Sequence, residues 1–507
     1  MESTSPPPKL LEEAVKEEAE KSETPLGESS TSSPSIAGTD PDLVDFAEDD
    51  AEYPKNWSSG RKLTVTVLVS AIGFITPATS SMIAPALDEI AKDLHINKPI
   101  ESQLILSIFI LGMGIGPLLI GPLSEMYGRA PVLRLGNLFY LVFNTAAGFA
   151  RNKSEMLAFR FLGGFGGSAP LVVGSGIISD CYRAEERGVA VAIYNIFPLL
   201  GPSTGPIAGA FITQSMSWRW VFYFVSIADL VLQFLAAVFL RETYPPILLD
   251  KRRRQLAKST GNTRLRTPFD RDGREGFSAL LRRNLLRALR LLATQPIVQV
   301  LAIYLAYVYG LMYLTYSTFP TLWTGRYHES TGIGSLNYVS LGLGYLAGSF
   351  LCGMLVDRIY TRLKRRNGGK GEPEFRVPML ALASLLVPTG LFWYGWSAQA
   401  RLHWIMPNIG SFIFSAGVIM IMQSVNNYIV DCYPLYAASA IAAVTLIRNL
   451  PGTGFPLFAP YMYDKLGYGW GSTVLALVAV CIGIPSPLLI WQFGKRMRVS
   501  SRMASSS

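Results

Sequence analysis

Arg160, Asp229 and Arg448 each fall inside a long apolar stretch of this 507-residue chain. An ionisable group at membrane depth costs on the order of 3 kcal/mol on insertion scales, so it is kept for proton transfer, for binding an opposite charge or for a buried pair. Arg160 reads as a proton-coupling residue, with snorkelling to the outer interface as the alternative. Arg448 reads as the partner of a substrate or carboxylate, and Asp229 as a buried acid that a local neighbour could equally satisfy. Other chemistry finds no support. His95, His328 and His403 fall in or beside predicted loops, and Cys181, Cys352, Cys432 and Cys481 are far apart with no C-x-x-C pair. No metal site, disulfide framework, nucleotide loop or Ser-His-Asp set is indicated. The expectation is therefore no catalytic residue, no metal, no cofactor and no enzyme.

A second constellation is the turn "GPLSEMYGRAP", which holds Gly121, Glu125, Gly128 and Arg129. The glycines permit a sharp turn, and the carboxylate and guanidinium can pair with each other or with helix ends. Asp180, Arg183, Glu186 and Arg187, at the end of a later apolar run, can join that network as a latch on one state; the plainer reading is a solvated loop. Sliding the chain by about 230 residues, the scale of an internal half, sets Gly112 on Gly344, Gly116 on Gly348, Gly121 on Gly353, Leu123 on Leu355 and Glu125 on Asp357, which precedes Arg358. A third is "GPSTGPIAGAFI". Gly201, Gly205 and Gly209 share one helix face and let two backbones approach closely, while Pro202 and Pro206 bend the helix. Gly344 and Gly348 have the same spacing, so these two faces are expected to press together across the two halves.

The elements that position these groups follow from composition. Half the residues are hydrophobic and 16% are charged, as in a membrane protein. Runs of about twenty apolar residues predict twelve spans, near 63–85, 102–121, 131–150, 156–179, 188–212, 218–240, 296–320, 333–356, 376–396, 402–425, 436–460 and 470–492. The expected organisation is an acidic, disordered cytoplasmic tail over 1–60, a six-helix bundle over 61–240, a basic cytoplasmic linker over 241–295, a second six-helix bundle over 296–492 and a cytoplasmic tail over 493–507. Net charge is +9, and its concentration in 241–295, 357–378 and the C-terminal tail reads as the positive-inside signal, so no nucleic acid is expected as a partner. Both termini then lie in the cytoplasm.

Several of these motifs resemble a known family. Gly121-Pro-Leu123-Ser-Glu125-Met-Tyr-Gly128-Arg129 resembles the loop signature of the major facilitator superfamily, and Gly201-Pro-Ser-Thr-Gly205-Pro206-Ile-Ala-Gly209 the fifth-helix signature associated with its drug:proton antiporters. Arg160 with Gly163-Gly164-Phe-Gly166-Gly167 resembles the fourth-helix signature, whose arginine the family links to proton coupling. "PKNWSSGRKL", "SWRWVFYF", "RETYPPILL" and "VDCYPLYAASAIAA" are similar to segments of fungal twelve-span drug:proton antiporters, and the resemblance covers about 54–495. Glu125 departs from the family's usual Asp, and Gly163 from the polar residue common after the arginine.

The resemblance implies an all-α membrane protein of twelve spans in two pseudo-symmetric bundles. It also implies proton-coupled efflux of small organic compounds such as drugs, toxins or secondary metabolites by alternating access, with uptake of a polyamine, vitamin or organic acid by proton symport as the alternative. The expected cavity lining is Thr76, Ser80, Asn195, Tyr304, Tyr307, Tyr313, Gln423, Asn426, Asn427 and Arg448, because rings give adaptable contact area and amides fix orientation. Expected coupling and gating residues are Gly121, Glu125, Gly128, Arg129, Arg160, Asp180, Gly201, Gly205, Pro206, Gly209, Asp357 and Arg358. Expected partners are a small organic substrate, protons and the lipid bilayer, for a monomer in the plasma membrane, with the vacuolar membrane as the alternative.

Overall fold

The computed structural model describes residues 42–47, 49–183, 186–270, 276–433 and 436–499. They are nearly all helical, as lipid demands of a chain that must satisfy its backbone groups internally. The first half contains α1 (Ser59–Met82), α2 (Pro99–Tyr127), α3 (Arg129–Gly148), α4 (Lys153–Gly167) continued after a break at Ser168 by α5 (Ala169–Cys181), α6 (Arg187–Ser215) and α7 (Arg219–Phe239). Two helices, α8 (Pro245–Thr260) and α9 (Phe277–Thr294), cross to the second half. That half contains α10 (Pro296–Thr321), α11 (Tyr338–Arg366), α12 (Val377–Gln399), α13 (Ile405–Cys432), α14 (Ala437–Gly483) and α15 (Pro485–Val499).

Ten stretches among the described residues are long and apolar enough to cross a membrane. The last of them, Ala437–Val499, is broken at Gly467, where φ is 71° and ψ 172°. Arg134, Asn137 and Asn144 lower the apolar content of α3, which is otherwise of spanning length. Counting both brings the described spans to twelve, in the order read from the sequence.

The two halves repeat each other in packing as well as in pattern. In the first, α1 packs on α6, α2 on α4 and α3 on α7; in the second, α10 packs on α14, α11 on α13 and α12 on α14. Gly112 of α2 lies against Phe161 and Phe165, and Gly344 of α11 against Phe412 and Ser415. Gly116 meets Phe165 and Ser168, and Gly348 meets Ala416 and Ile419. Residues on α1 and α2 thus match those on α10 and α11 at an offset of 232, whereas α4 and α6 match α13 and α14 at 251. The difference is the extra chain between α11 and α12. Gly201 against Pro77 and Gly452 against Tyr309 obey the same two offsets.

These contacts correct one expectation. Gly201, Gly205 and Gly209 do not meet Gly344 and Gly348 across the halves. Their face presses on α1, where a Cβ would strike the backbone of Ala78 and Met82. Gly344 and Gly348 press on α13. Close glycine packing therefore binds helices within each half, where van der Waals contact is the main cohesive force in lipid. The halves meet elsewhere: α2 runs along α14, and α6 touches α11 through Ser203 and Gly342.

The linker is structured and attached to both halves. α8 is tied to the segment before α1 by the Arg252–Asp50 pair, and the stretch after α8 by a bridge between Arg266 and Leu43. α9 packs on α2 and on α14 with Leu280, Ala288 and Leu291 buried, then enters α10 through Gln295. Within the 1–60 stretch expected to be disordered, residues 42–47 and 49–60 are described, with Val44 and Trp57 buried. Residues 1–41 and 500–507 of the two expected tails lie outside the described residues.

Candidate functional site

The centre of the molecule is a polar and aromatic seam between the halves. The Ser80 and Tyr313 hydroxyls lie 3.2 Å apart and join α1 to α10. Tyr313 packs on Tyr309 with ring centroids 5.1 Å apart, and the Arg448 guanidinium lies 4.7 Å over the Tyr309 ring. Asn449, the next residue on α14, is buried against α2, and a Cβ on Gly114 would come within 2.8 Å of its side chain. Gly114 thus makes room for an amide at the seam.

Arg160 lies on the first-half side of this seam and is fully buried. Its Nε donates to the Ile105 carbonyl at 3.3 Å, its Nη1 to the Thr79 carbonyl at 3.3 Å, and the guanidinium lies 4.3 Å over Phe109. Nη2 is buried with no hydrogen-bond partner. Thr79 also shares a 2.7 Å hydroxyl contact with Tyr140. Arg160 therefore points inward and does not snorkel.

Asp229 is completely buried between α7 and α3. Its Oδ1 accepts from Asn137 at 3.0 Å, and Oδ2 has no partner. No cation pairs with it among the described residues. The local neighbour is thus an amide, one turn from Tyr140 on α3.

Other expected lining residues divide into two sets. Asn195 and Asn427 are exposed and Asn426 is half-buried. Tyr304 meets the Ser384 hydroxyl at 2.6 Å, Tyr307 donates to the Leu475 carbonyl at 2.6 Å, and Gln423 donates to Ser349 at 2.7 Å. Those three side chains are used between helices of the second half. Thr76 is buried against Gly167 inside the first.

Of the expected network Arg129 and Asp180 meet, while Arg183 donates to Asn56 at 3.2 Å, Glu186 pairs with Lys62 at 3.3 Å and Arg187 donates to the Ser179 carbonyl at 3.3 Å. Arg129 pairs with Asp180 at 3.3 Å and donates to the Ser124 hydroxyl at 2.7 Å. Glu242, just after α7, accepts from the backbone N–H groups of Arg129 at 2.9 Å and Ala130 at 3.2 Å, and so caps the N-terminus of α3, where an anion also suits the helix dipole. Arg129 stacks 4.6 Å over Tyr244, whose hydroxyl is pushed up from its ordinary value by burial and then by Glu125. Gly128 is required on two counts: φ is 100°, and a Cβ would collide with the Glu242 carboxylate. Glu125 itself is exposed and does not pair with Arg129.

The second half has its own version, but not at Asp357 and Arg358, which are both exposed and form no ion pair among the described residues. Arg376 pairs with Asp431, and buried Arg498 pairs with buried Glu374 at 3.4 Å. Asp431-Cys432-Tyr433 repeats Asp180-Cys181-Tyr182 at the offset of 251. That tripeptide was the sequence signal for Asp431; for Glu242 it was an acid directly after a span, ahead of two prolines.

The seam is closed at one end. On the face away from the linker, the Gly332 N–H donates to Gln214 at 3.2 Å, joining the halves. On the linker face α5 and α6 make no comparable contact with α13 or α14 among the described residues.

Comparison with known proteins agrees with this geometry. The family model described as Major Facilitator Superfamily matches residues 69–456. The chain is 49% identical over 494 residues to "Efflux pump vrtL" of Penicillium aethiopicum, covering 97% of each, and 40% identical to "Efflux pump radE" of Floropilus chiversii, covering 91% of this chain and 86% of that one. A partially occluded, inward-open structure of the xylose transporter XylE from E. coli superimposes with a TM-score of 0.61 at 18% identity, over 86% of this chain and 98% of that one.

Proposed function

The chain belongs to the major facilitator superfamily, and from that premise we propose that it exports small organic compounds in exchange for protons. That it is a multi-pass membrane transporter follows from the family. The observation that carries export over uptake is the likeness, along nearly the whole chain, to relatives named as efflux pumps. The fifth-helix motif, Gly201 to Gly209, supports the same direction.

In this reading the basic linker face is cytoplasmic, as the positive-inside rule favours, and both termini lie on that side. The end joined by Gly332 and Gln214 is then the outer one. A compound enters from the cytoplasm to the Tyr313 seam, the Gly332–Gln214 contact opens as the halves rock, and the linker-face ends close. The Arg129–Asp180 and Arg376–Asp431 pairs hold each half rigid, so that the swing occurs between halves. Arg160 is the coupling residue, poised on two carbonyls and free to change partners when a proton or substrate arrives. We place the protein in the plasma membrane as a monomer.

The test is deletion and overexpression against a panel of toxic compounds, followed by flux measurements in vesicles with and without an imposed pH gradient. Export driven by inward proton movement is the expected result. Accumulation of the same compounds on overexpression would reverse the direction.

A further inference from the structure

We propose that Arg160 and Arg448, one guanidinium from each half, form an oxyanion subsite at the seam, so that the transported compounds are aromatic organic anions. The proposal rests on the reading of this seam as the transport path.

Neither guanidinium has a carboxylate partner among the described residues. Arg160 spends two nitrogens on the carbonyls of Ile105 and Thr79, and its Nη2 is buried with no partner. Arg448 is half-buried, lies over Tyr309, and has an unpartnered buried Nε. Arg448 lies over Tyr309, Tyr309 packs on Tyr313, and the Tyr313 hydroxyl touches Ser80, the neighbour of the Thr79 whose carbonyl accepts from Arg160. The nearby acid at membrane depth, Asp229, is held by Asn137 on the other side of Tyr140 and neutralises neither. A guanidinium on either side of the Ser80–Tyr313 junction, each with an unpartnered buried nitrogen, offers donors to an anion that accepts from both.

The surroundings define the rest of the ligand. Tyr309, Tyr313 and Tyr316 form a continuous edge-and-face series, with centroids 5.1 and 5.7 Å apart, against which an aromatic body can stack. Asn449 adds an amide whose Oδ1 is buried without a partner, suited to a hydroxyl beside the anionic group. An organic cation gains nothing here and meets two guanidiniums.

Three probes of one shape separate the charges: 2-naphthoate, 2-naphthamide and 2-naphthylmethylammonium, titrated by calorimetry into the purified full-length protein without any gradient. The expected result is millimolar or tighter binding of naphthoate, at least tenfold weaker binding of the amide, and none of the ammonium probe. Arg448→Gln should bring naphthoate down to the level of the amide, and Arg448→Lys should retain part of the preference. Equal affinity for the three probes, stronger binding of the ammonium compound, no binding of naphthoate at millimolar concentration, or an unchanged preference in Arg448→Gln would each overturn it. Because Arg160→Gln can disturb the first half, Arg448 carries the test. Charge-selective binding without proton-driven flux would count against export while leaving the subsite standing.

Discussion

Gly205 of α6 sits directly on the Ala78 carbonyl of α1, inside the first half. Neither atom belongs to a flexible side chain, so neither can move aside. The glycine motif is thus a weld within a bundle, and motion between bundles must occur at other contacts.

Gly205→Leu should therefore prevent the first half from assembling. Overpacking typically costs about 1–3 kcal/mol, and more is expected where backbone meets backbone. Membrane yield and thermal midpoint should both fall sharply. Ser203→Leu, at the Gly342 contact between halves, should leave the yield near wild type and slow transport. Normal folding of Gly205→Leu would refute the weld.

Glu242→Gln removes charge from the cap on α3 and weakens the hold on Arg129. A loss of about 1 kcal/mol is expected, in line with cap substitutions, read as a lower midpoint in detergent. Glu125→Ala should stay within about 0.5 kcal/mol, as exposed substitutions do. The reverse ranking would restore Glu125 as the partner of Arg129.

Asp431→Asn should act in the second half as Asp180→Asn does in the first, with similar losses of thermal midpoint. Asp357→Asn should do little. Equal damage from Asp357→Asn and Asp431→Asn would show that the latch has been placed on the wrong pair.

Gly114→Val should force the Asn449 side chain out of the seam. The expected outcome is folded protein with at least tenfold reduced flux, checked by size-exclusion profile and vesicle transport. Unaltered flux would mean that the α2–α14 contact does not shape the path.

The Glu52 backbone N–H, and then the Arg252 guanidinium, hold the Asp50 carboxyl below the usual carboxylate range. A lowered folded-state value stabilises above the unfolded value, near 3.9, and the stabilisation is lost as pH falls through the folded value. Hydrogen-exchange protection of 49–57 and α8 should thus be flat between about pH 8 and 5 and decline only below about pH 4. Loss of protection at pH 6 would contradict this pairing.

Span number, order and the internal repeat were legible because lipid leaves the backbone few choices and apolar length is visible in one dimension. The side to which Arg160 turns and the partner of Arg129 were left open by the sequence, because residue type and depth do not say which neighbouring helix faces a side chain. The partner of the glycine face was not: spacing shows that some backbone approaches, not which one, and α1 offered no matching glycine pattern. Asp357 was chosen by the offset of the α2–α11 pair, whereas the latch follows the α4–α13 offset. A single slide of the sequence cannot hold both registers. Tyr304 and Tyr307 were read as lining because a tyrosine in a span looks the same whether its hydroxyl meets a ligand or, as here, Ser384 and the Leu475 carbonyl.

α9 lies on α2 with one part and on α14 with another, and only Gln295 separates it from α10. A rod so short and so anchored cannot follow two bodies that tilt apart, so if the halves rock as proposed, one grip must slip at every stroke. The join between the bundles is in that case a brake and not a slack cord, and loosening its leucines should alter how long the transporter dwells in each posture before it alters which compounds it accepts.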